Sequence, residues 1–195
     1  MKKRLAILFC SIFVIALAGC GKSDGANAGD NASVETVDVA DATELLTNVW
    51  NSYNEADKFP IGGGDYNNIV MDAPGKYDVS MVEDLDAVLG LPQSSASMID
   101  DAASMMHMMN ANTFTAGAYH VSDAANQQTV VDSLKDNIMN RQWMCGFPDT
   151  LIVAKVGGEY VVSVFGNAEV IENFKNKLRE TFPITDIVYE ESLTE

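Results

Sequence analysis

Residues 150–165 constrain the fold of this chain more than any other stretch. Residues 150–156 and 159–165 are runs of β-branched and aromatic side chains on either side of Gly157-Gly158, the composition of a hairpin. Read with a two-residue turn, Leu151 and Val153 share a face with Tyr160, Val162 and Val164. Ile152, Ala154, Val161 and Phe165 then take the other face. Both faces are apolar, so both must be covered, and helices are the usual cover.

Three segments have the required amphipathic spacing. Residues 43–54 place Leu45, Leu46, Val49, Trp50 and Tyr53 on one stripe, with Asp41 or Thr43 as cap. Residues 123–141 carry Val130, Val131, Leu134 and Ile138 behind Ser122 or Asp123. Residues 168–181 repeat that spacing forty positions later, as Val170, Ile171, Phe174 and Leu178, opened by Gly166-Asn167. The recurrence suggests two ββα units in tandem. Its helices are expected on one face of the sheet, with the Trp50 helix on the other.

Residues 98–121 are ambiguous. Met98, Ala102, Met105, Met106 and Met109 fit a helical stripe, and Met and Ala are good helix formers. Asn110-Ala111-Asn112 is turn chemistry, however, and residues 113–121 are rich in β-formers. Upstream, Pro60 and Gly62-Gly63-Gly64 break the pattern. The glycines lack the Gly-Lys-Ser/Thr ending of a phosphate loop and read as a mobile loop. Tyr66 to Met71 reads as extended, and Val82 to Leu89 as a short helix stopped by Gly90 and Pro92. Asp65, Asp72, Asp78, Glu83, Asp84 and Asp86 do not follow calcium-loop spacing and read as a solvated acidic face. Ile184 to Tyr189 is a candidate edge strand.

The N-terminus has the layout of a bacterial export signal. Lys2, Lys3 and Arg4 precede an apolar run from Leu5 to Ala18, and Leu17-Ala18-Gly19-Cys20 resembles a lipobox. The run is 14 residues, short for a membrane span of roughly 20. The expected organisation is a signal peptide over residues 1–19, then a lipidated Cys20 and a flexible polar tether to residue 40. A single globular domain is expected over residues 41–195. Cys10 falls in the signal and Cys20 is used by lipid, so Cys145 has no intramolecular partner and no disulfide forms. The formal net charge is −16, and loss of Lys2, Lys3 and Arg4 makes the remainder more acidic still. Such a surface repels nucleic acid and anionic lipid alike, so membrane attachment has to come through the lipid.

Over residues 41–183 the chain resembles a family of uncharacterised lipoproteins of Firmicutes-type bacteria, a domain of unknown function. The resemblance rests on Thr113-Phe-Thr-Ala-Gly-Ala-Tyr-His-Val-Ser-Asp, on Asn140-Arg141 and on Gly157-Gly158-Glu159-Tyr160-Val161-Val162. It implies a hairpin over 103–121 and no activity; the loop Trp143 to Asp149 lies outside it. With that hairpin, the expected fold is α+β, an antiparallel sheet with helices. Its strands are 103–109, 113–121, 150–156 and 159–165, and its helices 123–141 and 168–181, preceded by helix 43–54.

Two constellations carry candidate chemistry. Met105-Met106-His107-Met108-Met109 offers thioethers and an imidazole, ligands suited to Cu(I), with Met106, Met108 and His107 as the candidate set. The structural alternative is that flexible methionines fill a core or an interface. Cys145 with His107 or His120 would make a thiol nucleophile and its base. No Gly-x-Ser-x-Gly occurs. The reading with fewest assumptions is a membrane-anchored extracytoplasmic lipoprotein, non-catalytic and without cofactor, lipidated at Cys20. It would bind a protein, peptide or wall-associated ligand. A copper carrier using Met105 to Met109 and a Cys145-dependent thiol enzyme are the alternatives.

Overall fold

The computed structural model describes residues 36–109, 113–144 and 146–194. Eight antiparallel strands form one sheet with helices on both faces, the expected α+β class. The strands are β1 Ile61–Gly63, β2 Val70–Met71, β3 Gly75–Lys76, β4 Ile99–His107, β5 Phe114–Val121, β6 Thr150–Val156, β7 Tyr160–Gly166 and β8 Thr185–Ser192. The helices are α1 Ala42–Asn51, α2 Val82–Asp84 with a π-helical continuation over Leu85–Leu89, α3 Gln127–Met139 and α4 Ala168–Thr181. The sheet order is β2-β1-β4-β5-β7-β6-β8, and β3 pairs with β4 beside β1. No helix of the described residues is long and apolar enough to cross a membrane.

Local chemistry accounts for the helix ends. Asp41 caps α1 by accepting from the Glu44 amide at 2.8 Å. Asp123 caps the short 3₁₀ turn that leads into α3, and Asn167 caps α4. Gly90, at φ 81°, closes the turn after Leu89 as expected.

The β6–β7 hairpin departs from the expected register. Its last pair is Val156 with Tyr160, so the loop has three residues, Gly157, Gly158 and Glu159, with Gly157 at φ 63°. One added loop residue turns every β7 side chain to the other face. Ile152, Ala154 and Val156 therefore share a face with Tyr160, Val162 and Val164. Leu151 and Val153 share the opposite face with Val161 and Phe165. The grouping drawn from a two-residue turn is corrected.

The placement of the repeat helices is corrected too. α1 and α4 cover one face, through Leu45, Leu46 and Val49 and through Ile171, Phe174 and Leu178. α3 covers the other with Leu85, Leu89 and Leu91. Strand direction explains the split. β5 and β6 run parallel with β7 between them, and β7 and β8 run parallel with β6 between them. α3 and α4 join these pairs, and both connections step the same way across the sheet. They start from strands of opposite direction. With one handedness for such crossovers, the helices fall on opposite faces.

Residues 99–121 form the hairpin, not a helix. β4 begins at Ile99, earlier than the expected 103, and ends at His107, leaving Met108 and Met109 beyond the strand. β4 pairs on both edges, and this tertiary pairing overrides the helical spacing of its methionines. Small residues line the centre of the hairpin. A Cβ on Gly117 would come within 2.4 Å of the Tyr119 hydroxyl, so the glycine makes room for that ring.

The glycine triplet is also corrected. Residues 61–65 are buried, and Ile61–Gly63 is strand β1 rather than a mobile loop. At the other end of the described chain, Val37 and Val39 pack against the core beneath α1 and α4. The folded part thus reaches into the stretch read as tether. The readings that rest on residues 1–35, Cys20 among them, on the turn at 110–112 and on Cys145 lie outside the described residues.

Candidate functional site

The corner of the sheet where β1, β2 and β4 meet carries a cleft of about 250 Å³. It is lined by β1 and the turn that follows it, by Tyr77 and Val88, and by Met106, His107 and Met108. Several apolar side chains around it face solvent. Tyr66 is 70% exposed, Ile69 63%, Met71 58% and Met108 49%. Large apolar groups held in water this way mark a contact surface more often than a solvated one.

Glycine chemistry shapes the corner. β1 and β3 follow one another along the same edge of β4, so their backbones must meet. Gly63 and Gly75 allow that contact, and Gly64 turns the chain at φ 84°. Gly62 pairs with Met71 on one side and Met106 on the other, so both methionines project from the face that Gly62 leaves bare. The Met108 Sδ lies over the same spot, 2.8 Å from where a Gly62 Cβ would stand.

Two polar groups belong to this corner. Tyr77 is only 1% exposed, and its hydroxyl has no hydrogen-bond partner among the described residues. Burial, reinforced by the Asp84 charge, pushes its ionisation well above the ordinary phenol range. It stays a neutral donor in need of an acceptor. Asp65, read from sequence as part of a solvated acidic face, is buried instead. Its carboxylate accepts from the amides of Asn67 at 2.8 Å, Asn68 at 3.0 Å and Asp78 at 3.2 Å. Burial opposes its ionisation, but these bonds and the Asn68 side chain prevail and hold its pKa below the usual carboxylate value.

The residues nominated from sequence scatter. Met105 is fully buried under α1 and α4 and is a packing residue. Met106, His107 and Met108 border the cleft. His107 stacks on Phe59 at 4.8 Å, and its Nδ1 accepts from the Met109 amide at 2.9 Å. Burial lowers its pKa. The neutral ring therefore carries its proton on Nε2, and neither nitrogen offers a free lone pair. Met109 is exposed beside a second depression.

His120 sits at the other end of the β4–β5 hairpin. It pairs opposite Asp101, whereas His107 pairs with Ile61, six residues farther along β4. At ~3.3 Å per residue the two imidazoles are about 20 Å apart. His120 Nδ1 bonds the Asp100 carboxylate, and its ring meets Tyr160 edge-on at 5.0 Å. The structure does not bring the two histidines together. No group of three or more His, Cys, Asp or Glu placed to hold a metal ion occurs among the described residues.

The cleft residues that sequence reasoning passed over are Tyr66, Ile69 and Tyr77, with Met71 on the adjoining strand β2. A faint signal was present. Tyr66, Ile69, Val70 and Met71 put four large apolar side chains into a glycine- and aspartate-rich stretch between Pro60 and Pro74. Comparison with protein-family models, curated proteins and solved structures returned no match.

Proposed function

We propose that this chain is a lipid-anchored, extracytoplasmic binding domain of a bacterial envelope. In this reading Cys20 carries the lipid and the corner cleft takes an extended peptide segment of a partner protein. Membership of the lipoprotein family that the sequence resembles is part of the proposal. The supporting observation is the cleft itself, lined by Val88, Met106 and Met108 and flanked by the exposed Tyr66 and Ile69. An apolar side chain of the peptide would fill the volume.

The sheet edges favour a peptide. β8, one outer strand, carries Asp186, Glu190 and Glu191 and a register shift opposite Val153, devices that discourage strand addition. β2, at the other end, offers Val70 and Met71 to solvent with no strand beyond it among the described residues. Strand addition along β2 would lay a peptide beside the cleft. The net charge of −16 selects basic flanking residues on that peptide.

Two experiments test the reading. Titration with a labelled peptide carrying a central leucine and flanking lysines should show saturable binding. Ile69→Asp and Tyr66→Asp should weaken it by about tenfold or more, since each puts charge into an apolar contact. Equal affinity of wild type and both variants would overturn the cleft as binding site. Cys20→Ala should release the protein from the membrane fraction; a variant still membrane-bound would refute the anchor.

A further inference from the structure

We propose that Met71, Met106 and Met108 form a soft-metal site above Gly62 that takes one Cu(I) ion. The sheet register brings them together. Gly62 has Met71 opposite on β2 and Met106 opposite on β4, and directly opposed residues of antiparallel strands share a face. Glycine puts no side chain between them, and the Met108 Sδ occupies the space a Cβ would need. Three methionines thus border one bare patch of backbone.

Packing does not account for this arrangement. Met105, one residue before Met106, is a core methionine and is wholly buried. Met71 and Met108 are 58% and 49% exposed, so an ion in solution can reach them. The electrostatics suit a cation. No lysine or arginine lines the cleft, and the ionised Asp65 does. The ligand set also selects the ion. His107 has committed Nδ1 to the Met109 amide, which leaves thioethers alone, and thioethers favour Cu(I) over Cu(II), Zn²⁺ or Mg²⁺.

This inference is independent of the peptide reading, and its test separates the two. The protein used is the full chain in detergent with Cys145→Ser, so that the thiol cannot compete for the ion. Cu(I) is titrated against a colorimetric Cu(I) chelator while the methionine methyl groups are followed by carbon-13 NMR. One ion per chain is expected, with the methyl signals of Met71, Met106 and Met108 moving and those of Met105 and Met144 unmoved. Met71→Leu, which keeps an apolar side chain of similar volume, should lower Cu(I) affinity by about tenfold. Tyr66→Asp, which weakens peptide binding, should leave one Cu(I) bound per chain, so that the loss of either ligand is read on its own. Failure to take Cu(I) from the chelator overturns the site. So does a shift spread equally over Met109 and Met144, or an unaltered affinity in Met71→Leu.

Discussion

A Cβ on Gly63 would lie 2.2 Å from the backbone nitrogen of Gly75, so β1 and β3 touch backbone to backbone. Nothing flexible lies there to yield. Gly63→Ala should therefore destabilise the domain by about 3 kcal/mol, the upper range for forced overpacking. Urea denaturation measures this directly. A loss below about 0.5 kcal/mol, the level of an ordinary surface change, would mean that the corner is not closed by that contact.

The two methionines Met105 and Met108 should behave as opposites. Met105→Ala empties a fully buried position between the sheet and its helices and should cost about 2–5 kcal/mol. Met108→Ala removes a half-exposed side chain and should cost no more than about 0.5 kcal/mol. Paired denaturant curves settle the matter. Equal losses would contradict the assignment of one to the core and the other to the cleft.

Tyr119 and Tyr77 offer a similar contrast through their hydroxyls. Tyr119 donates to the Leu89 carbonyl at 3.1 Å and lies 3.3 Å from the Ser163 hydroxyl. Tyr119→Phe leaves a buried carbonyl short of a donor and should cost about 1–3 kcal/mol. Tyr77→Phe removes a buried hydroxyl without a partner, so stability should hold or rise slightly. A large drop in melting temperature for Tyr77→Phe would show that the hydroxyl is satisfied in solution.

Asp65 should make stability depend on pH. Its folded pKa lies below the ordinary carboxylate value, so the folded state holds fewer protons than the unfolded state at acidic pH. The stabilisation is present above the unfolded pKa of about 3.9 and is lost as pH falls through the folded value. Asp65→Asn should be less stable than wild type at neutral pH by about 1.5 kcal/mol, the scale of hydrogen bonds to a charged group. The gap should close below about pH 4. Denaturation midpoints of both proteins from neutral to acid pH would show it; a gap independent of pH would remove the carboxylate charge as its cause.

Much of the fold was legible because its signals are local. Asp41 and Asn167 cap the helices they were expected to cap, while Asp123 caps the 3₁₀ turn ahead of α3 rather than α3 itself. Val130, Val131, Leu134 and Ile138 face a core from a helix, as their spacing required. The hairpin at 150–166 is where its β-branched runs predicted it. The failures have one kind of cause. Whether Gly157-Gly158 forms a loop alone or with Glu159 depends on which register buries more on both faces, and both faces are apolar. Periodicity alone favours a helix over residues 98–109, and the expected hairpin there came from the family resemblance. Partners on β1 and β5, distant in sequence, decided for the strand.

The candidate site was less legible than the fold. Met106 and Met108 were visible as a methionine-rich run, but Met71 lies 35 positions before Met106 and meets it only across Gly62. Tyr77 is ordinary in sequence and becomes notable only when its hydroxyl is found buried without a partner.

The amino-acid sequence by itself determined the class of the protein. The apolar periods demanded helices on a two-faced antiparallel sheet, because each period commits a side chain to a face over a few residues. The tertiary structure alone decided which helix covers which face, how β7 registers on β6, and which residues meet at the glycine corner. Those outcomes depend on strand direction, on one loop residue and on backbones brought together from β1, β3 and β4. None of these is encoded within a window short enough to read along the chain.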